Sequence, residues 1–176
     1  MFVQLWKWRR LKLSKILAWD PSGNFTEGKG TSGYAISLDG NQAHKLGDIK
    51  ATDYKTRQEY WFAHKELIEK QFPDYVVIES YRLFGHKSKE QIGSSLETPQ
   101  LIGYLEMVCY EMNIPVFLQD PSTKSRHADD VLVKSSVIEK KGNKHYYRGE
   151  LTNLHQRDAL RHELYFKKFN LKKVVK

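Results

Sequence analysis

The stretch Ile16-Leu17-Ala18-Trp19-Asp20-Pro21-Ser22-Gly23 decides how the rest of the chain is read. Its apolar run is too short for a helix and stops at a Pro-Gly turn signal. Residues 16–20 are therefore predicted as a buried strand with Asp20 as its last residue. Working outward, residues 24–32 are rich in Gly, Thr and polar side chains and read as a loop. Gly33–Leu38 returns as a second strand. Asp39-Gly40-Asn41 is a hairpin turn signal leading into a third strand over 43–50.

Beyond this meander the pattern changes. Asp53 is placed as the N-cap of a helix running to about Gln71, with Tyr60, Ala63, Leu67 and Ile68 on one face. Phe72-Pro73-Asp74 ends it, and Tyr75-Val76-Val77-Ile78 is a continuous apolar run of the kind found in strands covered on both faces. Residues 80–97 are polar and read mostly as loop. Thr98 as cap and Pro99 in the first turn predict a second helix to about Met112, with Leu101, Ile102, Leu105, Val108 and Cys109 inward. Asn113 closes it, and Ile114–Leu118 gives a further strand. Residues 121–150 read as a short helix near 129–138 and a basic turn at 140–144. The last helix starts at Asn153, where Gln156 completes a capping-box pattern, and runs to about Phe169. The order defines an α/β fold with a five-stranded mixed sheet: an antiparallel meander joined to parallel strands by helical crossovers.

A chain of 176 residues has room for one domain, assigned to 16–176, preceded by a basic, aromatic extension over 1–15. No stretch approaches the roughly 18 apolar residues that cross a bilayer. Lys7, Arg9, Arg10 and Lys12 are followed by neither an apolar run nor a small-residue cleavage site, so the start does not read as a signal peptide. The single cysteine, Cys109, excludes an intrachain disulfide and fits a reducing cytoplasm. The net charge of +8 is unevenly placed: the first fifteen residues carry five Lys/Arg and no acid, and residues 139–176 carry eleven basic against four acidic residues. Basic ends around an acidic middle suit a protein that grips a polyanion and holds metal-binding carboxylates between.

Three of those carboxylates are predicted to meet. Asp20 ends the first strand, Glu79 follows the apolar run of the fourth, and Asp158 lies in the second turn of the last helix. If strands one and four are parallel neighbours, their C-terminal ends share the sheet edge at which open α/β folds bind ligands. Converging there, the carboxylates would repel one another by several kcal/mol in a partly dry cleft, roughly, unless cations sat between them. Magnesium or manganese suits such a site. His155, three residues before Asp158, is a further candidate ligand, and Arg161 follows at the same spacing as a candidate phosphate contact. Two ions about 4 Å apart would suit in-line hydrolysis of a phosphodiester.

At this point the residues resemble a known family. Asp20-Pro21-Ser22-Gly23 followed by Thr31-Ser32-Gly33-Tyr34-Ala35-Ile36 is similar to the opening of RuvC-type Holliday-junction resolvases. Val77-Ile78-Glu79 resembles the family's second acidic strand, and His155-Gln156-Arg157-Asp158-Ala159 its C-terminal pattern. The resemblance covers roughly residues 16–169, and the compact form is similar to bacteriophage or prophage versions. It implies a ribonuclease H-like fold, a homodimer, and magnesium-dependent nicking of branched DNA, with Asp20, Glu79, His155 and Asp158 as the catalytic and metal-binding set. Two departures stand out. The loop 24–32 is longer than the family's turn, and the aromatic that follows the second acid is represented by Tyr81 or Phe84, off the family's spacing.

The candidate DNA contacts are Tyr81, Phe84, Lys87, Lys89, Lys124, Arg126, Lys140, Lys141 and Arg161, with Lys144 beside them. Two other functions share the same pattern: a ribonuclease H-like nuclease acting on RNA–DNA hybrids or flaps, and a catalytically silent junction-binding protein. Three retained acids argue against the last, because a binding module gains nothing from repelling carboxylates in a cleft.

Overall fold

The structure is a computed structural model, and it describes residues 14–38, 45–82 and 96–174. Five strands, β1 (Lys15–Asp20), β2 (Thr31–Leu38), β3 (Lys45–Lys50), β4 (Tyr75–Glu79) and β5 (Val116–Gln119), form one sheet in the order β3-β2-β1-β4-β5. The β1–β2 and β2–β3 pairs are antiparallel, whereas β1–β4 and β4–β5 are parallel, as the predicted mixed sheet requires. The predicted turn at 39–41 lies outside the described residues, as do residues 1–13 of the N-terminal extension.

Helices α1 (Arg57–Gln71) and α2 (Glu97–Glu111) cover one face of the sheet, and α4 (Leu154–Phe169) covers the other. The pleat of β1 assigns its side chains to these two layers. Leu17 and Trp19 enter the core with Tyr60 and Leu101, while Ile16 and Ala18 enter the core with Leu160 and Phe166. In β4 the same alternation sends Val76 and Ile78 to the first layer and Val77 to the second. Phe166 closes the second layer against Tyr75 and Phe117, with ring centroids 5.7 and 4.8 Å away.

Several boundaries differ from the sequence expectation, each for a local reason. Asp53 does not cap α1; it ends a 3₁₀ turn over Ala51–Asp53. Thr56 is the cap, in a reciprocal capping box with Glu59. Thr98 does not cap α2 either: the helix begins at Glu97 after a left-handed Leu96, and the Thr98 hydroxyl accepts a hydrogen bond from the Gly23 amide at 3.0 Å. Asn113 does stop α2, in the left-handed conformation (φ 55°) that Asn tolerates. The capping box of Asn153 and Gln156 starts α4 as predicted.

The least readable region holds more structure than expected. A 3₁₀ segment (Pro121–His127) leads into α3 (Asp129–Lys134), and the basic turn at 140–144 is the hairpin of a small antiparallel sheet. Its strands are β6 (Glu139–Lys141), β7 (Lys144–Tyr147) and β8 (Glu150–Thr152). A short helix, α5 (Leu171–Val174), follows α4. Among the described residues no helix is long and apolar enough to cross a membrane.

Candidate metal centre

The pleat that sorts the core also aims the acids. Asp20 stands two residues beyond Ala18 and Glu79 two beyond Val77, so both carboxylates continue the rows that face α4. Trp19 pairs with Ile78 in the β1–β4 register, which makes Asp20 and Glu79 neighbours on the next rung. From the opposite side α4 lowers Asp158 onto them. Oxygens of Asp20, Glu79 and Asp158 lie within 4.8 Å of one another.

What brings α4 so near is how little side chain stands beneath it. Gly33, Ala35 and Ser37 form the α4-facing row of β2. A Cβ on Gly33 would lie 2.1 Å from the carbonyl carbon of His155, so helix and strand touch main chain to main chain. At the far end of the row the Ser37 hydroxyl donates to Glu163 at 2.5 Å. His155 and Glu163, two helical turns apart, thus both sit on β2.

Each carboxylate has protein partners. His155 Nδ1 donates to Asp20 Oδ2 at 2.7 Å, with the imidazole partly open to solvent. Burial pushes the Asp20 carboxyl above its ordinary range; the His155 hydrogen bond opposes that shift, and the charge of Glu79 adds to it. The Asp20 hydrogen bond raises His155 in turn, against its partial burial. Glu79 has the opposite balance: burial would raise it, but His162, 2.8 Å away, and Lys124 together hold it below its ordinary range. His162 is fully buried and also contacts Gln119 at 2.8 Å.

Lys124 reaches in from the 3₁₀ segment. Its Nζ lies 2.8 Å from Glu79 Oε2 and 2.7 Å from Asp158 Oδ2, so an ammonium already stands beside two of the three carboxylates. Burial lowers the Lys124 pKa, but the hydrogen bonds and negative charges of Asp158 and Glu79 together raise it above its ordinary value. Arg161 does not face the cleft: it pairs with Asp158 and, at 2.5 Å, with Asp129, which also holds Arg157 at 3.0 Å. A cleft of about 310 Å³ opens over the centre, lined by Asp20, Glu79, Tyr81, Arg82, Thr98 and Lys124.

The structure therefore brings together all four predicted site residues. Tyr81 and Lys124 line the same cleft, while Lys140 and Lys141 lie on the outlying β6 strand and Arg126 at the end of the 3₁₀ segment. Phe84, Lys87 and Lys89 fall outside the described residues. His162 and Asp129 were not singled out from sequence, although His162 follows Asp158 by one helical turn and the spacing alone places it on the same face. The donor set fits a divalent cation: hard carboxylate oxygens at a sheet edge, with an imidazole held against one of them. Asp20, Glu79 and Asp158 are the residues that can hold it.

Fold and site together define a class: an α/β protein of the ribonuclease H-like fold with an acidic centre at the C-terminal ends of two parallel strands. No protein-family model and no curated protein sequence matches the chain. Among solved structures, Thermus thermophilus RuvC in complex with a Holliday junction substrate aligns over 86% of this chain and 91% of its own, with a TM-score of 0.61 at 16% identity. Thermus thermophilus RuvC also aligns as a separate structure, over 88% of this chain and 95% of its own, with a TM-score of 0.58 at 14% identity. The chain thus shares its fold with RuvC across most of its length.

Proposed function

We propose that this chain is a divalent-metal-dependent endonuclease that resolves four-way or other branched DNA junctions, working as a homodimer. The observation that carries this is the convergence of Asp20, Glu79 and Asp158 at one sheet edge of a fold shared with RuvC.

In this function Asp20, Glu79 and Asp158 hold magnesium, or manganese in its place, with His155 oriented by Asp20 as a further ligand. The bound metal would activate water and neutralise charge at a phosphodiester. The chain's own residues prepare the ground. His162 fixes the Glu79 carboxylate and keeps it ionised, and Asp129 with Arg161 holds the Asp158 side of the cluster. Lys124 supplies a positive charge on the cleft wall where an anionic strand enters. Tyr81 lines that entrance and offers an aromatic face to an unstacked base, while Lys140, Lys141 and Lys144 meet backbone phosphates further out. The homodimer supplies two active sites related by a two-fold axis, which paired nicks in a four-way junction need.

The deciding experiment is cleavage of end-labelled four-way junctions in magnesium beside linear duplex, flap and RNA–DNA hybrid substrates, with Asp20→Asn in parallel. Paired nicks near the crossover, lost in the variant, are expected. Preferential cutting of hybrids or flaps would replace the substrate while keeping the metal centre. Tight junction binding without any cleavage would leave a binding protein on a nuclease fold.

A further inference from the structure

Six arginines lie among the described residues, and four of them hold carboxylates: Arg57, Arg82, Arg157 and Arg161. Arg148 stands over the Tyr147 ring. Arg126 is different, because its guanidinium lies 5.3 Å from the centroid of the Phe169 ring and Lys168 Nζ lies 5.3 Å from the same centroid. Neither cation has a carboxylate partner among the described residues. His127 follows Arg126 in the chain, and its Nδ1 is buried with no hydrogen-bond partner among the described residues. Burial lowers the His127 pKa, and the positive charges of Lys168, Arg126 and Arg161 lower it further, so this imidazole lies in an excess of positive charge.

A cation over an aromatic ring at an exposed site gains only about 0.5–1 kcal/mol. Two cations sharing one ring repel each other and offset part of that gain. Four of the six described arginines are balanced by acids; here two cations share one ring and no described acid pairs with either. An anion completes such an arrangement.

The position says which anion. Residues 121–127 form one 3₁₀ segment, and its Lys124 stands among the carboxylates of the cleft. Arg126 is two residues on, so its Cα is within roughly 7 Å of that of Lys124. The cluster therefore lies along the same segment as Lys124 but at α4's C-terminal end, roughly 16 Å along the helix from Asp158, and Phe169 is its floor, packed on Tyr165 with centroids 4.7 Å apart.

We infer that Arg126 and Lys168 form a backbone-phosphate subsite that grips the DNA strand beyond the cleft, at the C-terminal end of α4. This rests on the nuclease function proposed above. Such contacts are independent of base sequence and fix the register of the strand over the catalytic centre.

The test is the salt dependence of junction binding, read by anisotropy of a fluorescein-labelled four-way junction with the full chain carrying Asp20→Asn. Between about 50 and 200 mM salt, each lost phosphate contact lowers the slope of log K against log salt by about 0.9. In that background Lys168→Gln, an exposed change that does not threaten folding, should lower the slope by about one contact, and Arg126→Gln with Lys168→Gln by about two. Arg126→Lys should keep most of the slope. Lys65→Gln, on α1, should leave it unchanged. A double variant that keeps the parent slope and affinity overturns the subsite. Nicking by the unsubstituted chain is run beside it. Cleavage with an unchanged slope removes the subsite alone, whereas a changed slope without cleavage of any branched substrate keeps the subsite and removes the nuclease.

Discussion

Lys124 Nζ lies 2.7 Å from Asp158 Oδ2, inside the cluster of acids that is proposed to hold metal. The same nitrogen touches Glu79, so the ammonium cancels much of the repulsion within the cluster and competes with a divalent ion for the same oxygens. Lys124→Met should therefore tighten manganese binding, measured by titration of the full chain, by about tenfold. The maximal rate of junction cleavage should fall by about a hundredfold, because a cation facing the phosphate is lost. Weaker manganese binding in this variant would mean that Lys124 arranges the carboxylates and does not compete for them.

Asp20→Asn separates activity from stability. Burial and the charge of Glu79 both disfavour the ionised Asp20 side chain, and Asn keeps an oxygen that accepts from His155. Cleavage should fall at least about 100-fold, the scale on which groups supporting a metal site are felt. In EDTA the melting temperature should rise by about 2–4 °C, as expected for roughly 1 kcal/mol in a chain of this size. A lowered melting temperature would show that Asp20 is a net structural support.

His64 sets an acid limit on stability. It is fully buried, with Nε2 2.8 Å from Ser32 Oγ and Nδ1 donating to the Tyr60 carbonyl at 2.8 Å. Burial lowers its pKa from 6.5 to about 4. Below pH 6.5 the unfolded chain takes up a proton that the folded chain refuses, so this contribution is complete above pH 6.5 and is lost as pH falls towards 4. The loss amounts to about 3 kcal/mol across that window. Urea unfolding at stepped pH should show it, and His64→Gln, which cannot titrate, should flatten that part of the curve. An equal slope in both proteins would assign the acid sensitivity elsewhere. The same cluster also holds the turn after Asp20, since Tyr60 donates to the Ser22 carbonyl at 2.6 Å and Ser32 Oγ accepts from the Ser22 amide at 2.9 Å.

Two glycines predict opposite outcomes. Gly33→Ala places a methyl group 2.1 Å from the His155 carbonyl and should cost at least about 3 kcal/mol in urea unfolding, with loss of cleavage in whatever folds. Gly103→Ala, inside α2 with nothing within 4 Å of the added carbon, should stabilise the chain by about 0.5–1 kcal/mol. A mild effect at Gly33 would mean that α4 can lift from β2 without harm.

Sequence and structure agree most closely where local chemistry is decisive. The apolar run 75–78, the Asn153–Gln156 capping box and the Asn113 stop each depend on a few adjacent residues, and each is found. The acids were legible for the same reason: strand ends and a helix turn are local features, and the pleat does the rest. Thr56-x-x-Glu59 was equally present in the sequence, but Asp53, three residues earlier, offered a competing cap. The sheet β6–β8 carries no apolar alternation, because its strands are short and half charged. Lys124 in the cleft was not legible as such. Its position depends on the 3₁₀ segment folding against α4, a contact between residues far apart in sequence.

The contact between Gly33 and the first turn of α4 has a consequence for how such a protein diverges. The spacing between Asp20 and His155 is set by two main chains in contact, not by the shapes of intervening side chains. Substitutions elsewhere in the two cores can accumulate and repack without changing that spacing, provided one position never acquires a side chain. A lineage can therefore rewrite most of its residues while its acids stay in register, and the trace that survives longest is a hydrogen atom where other positions carry a carbon.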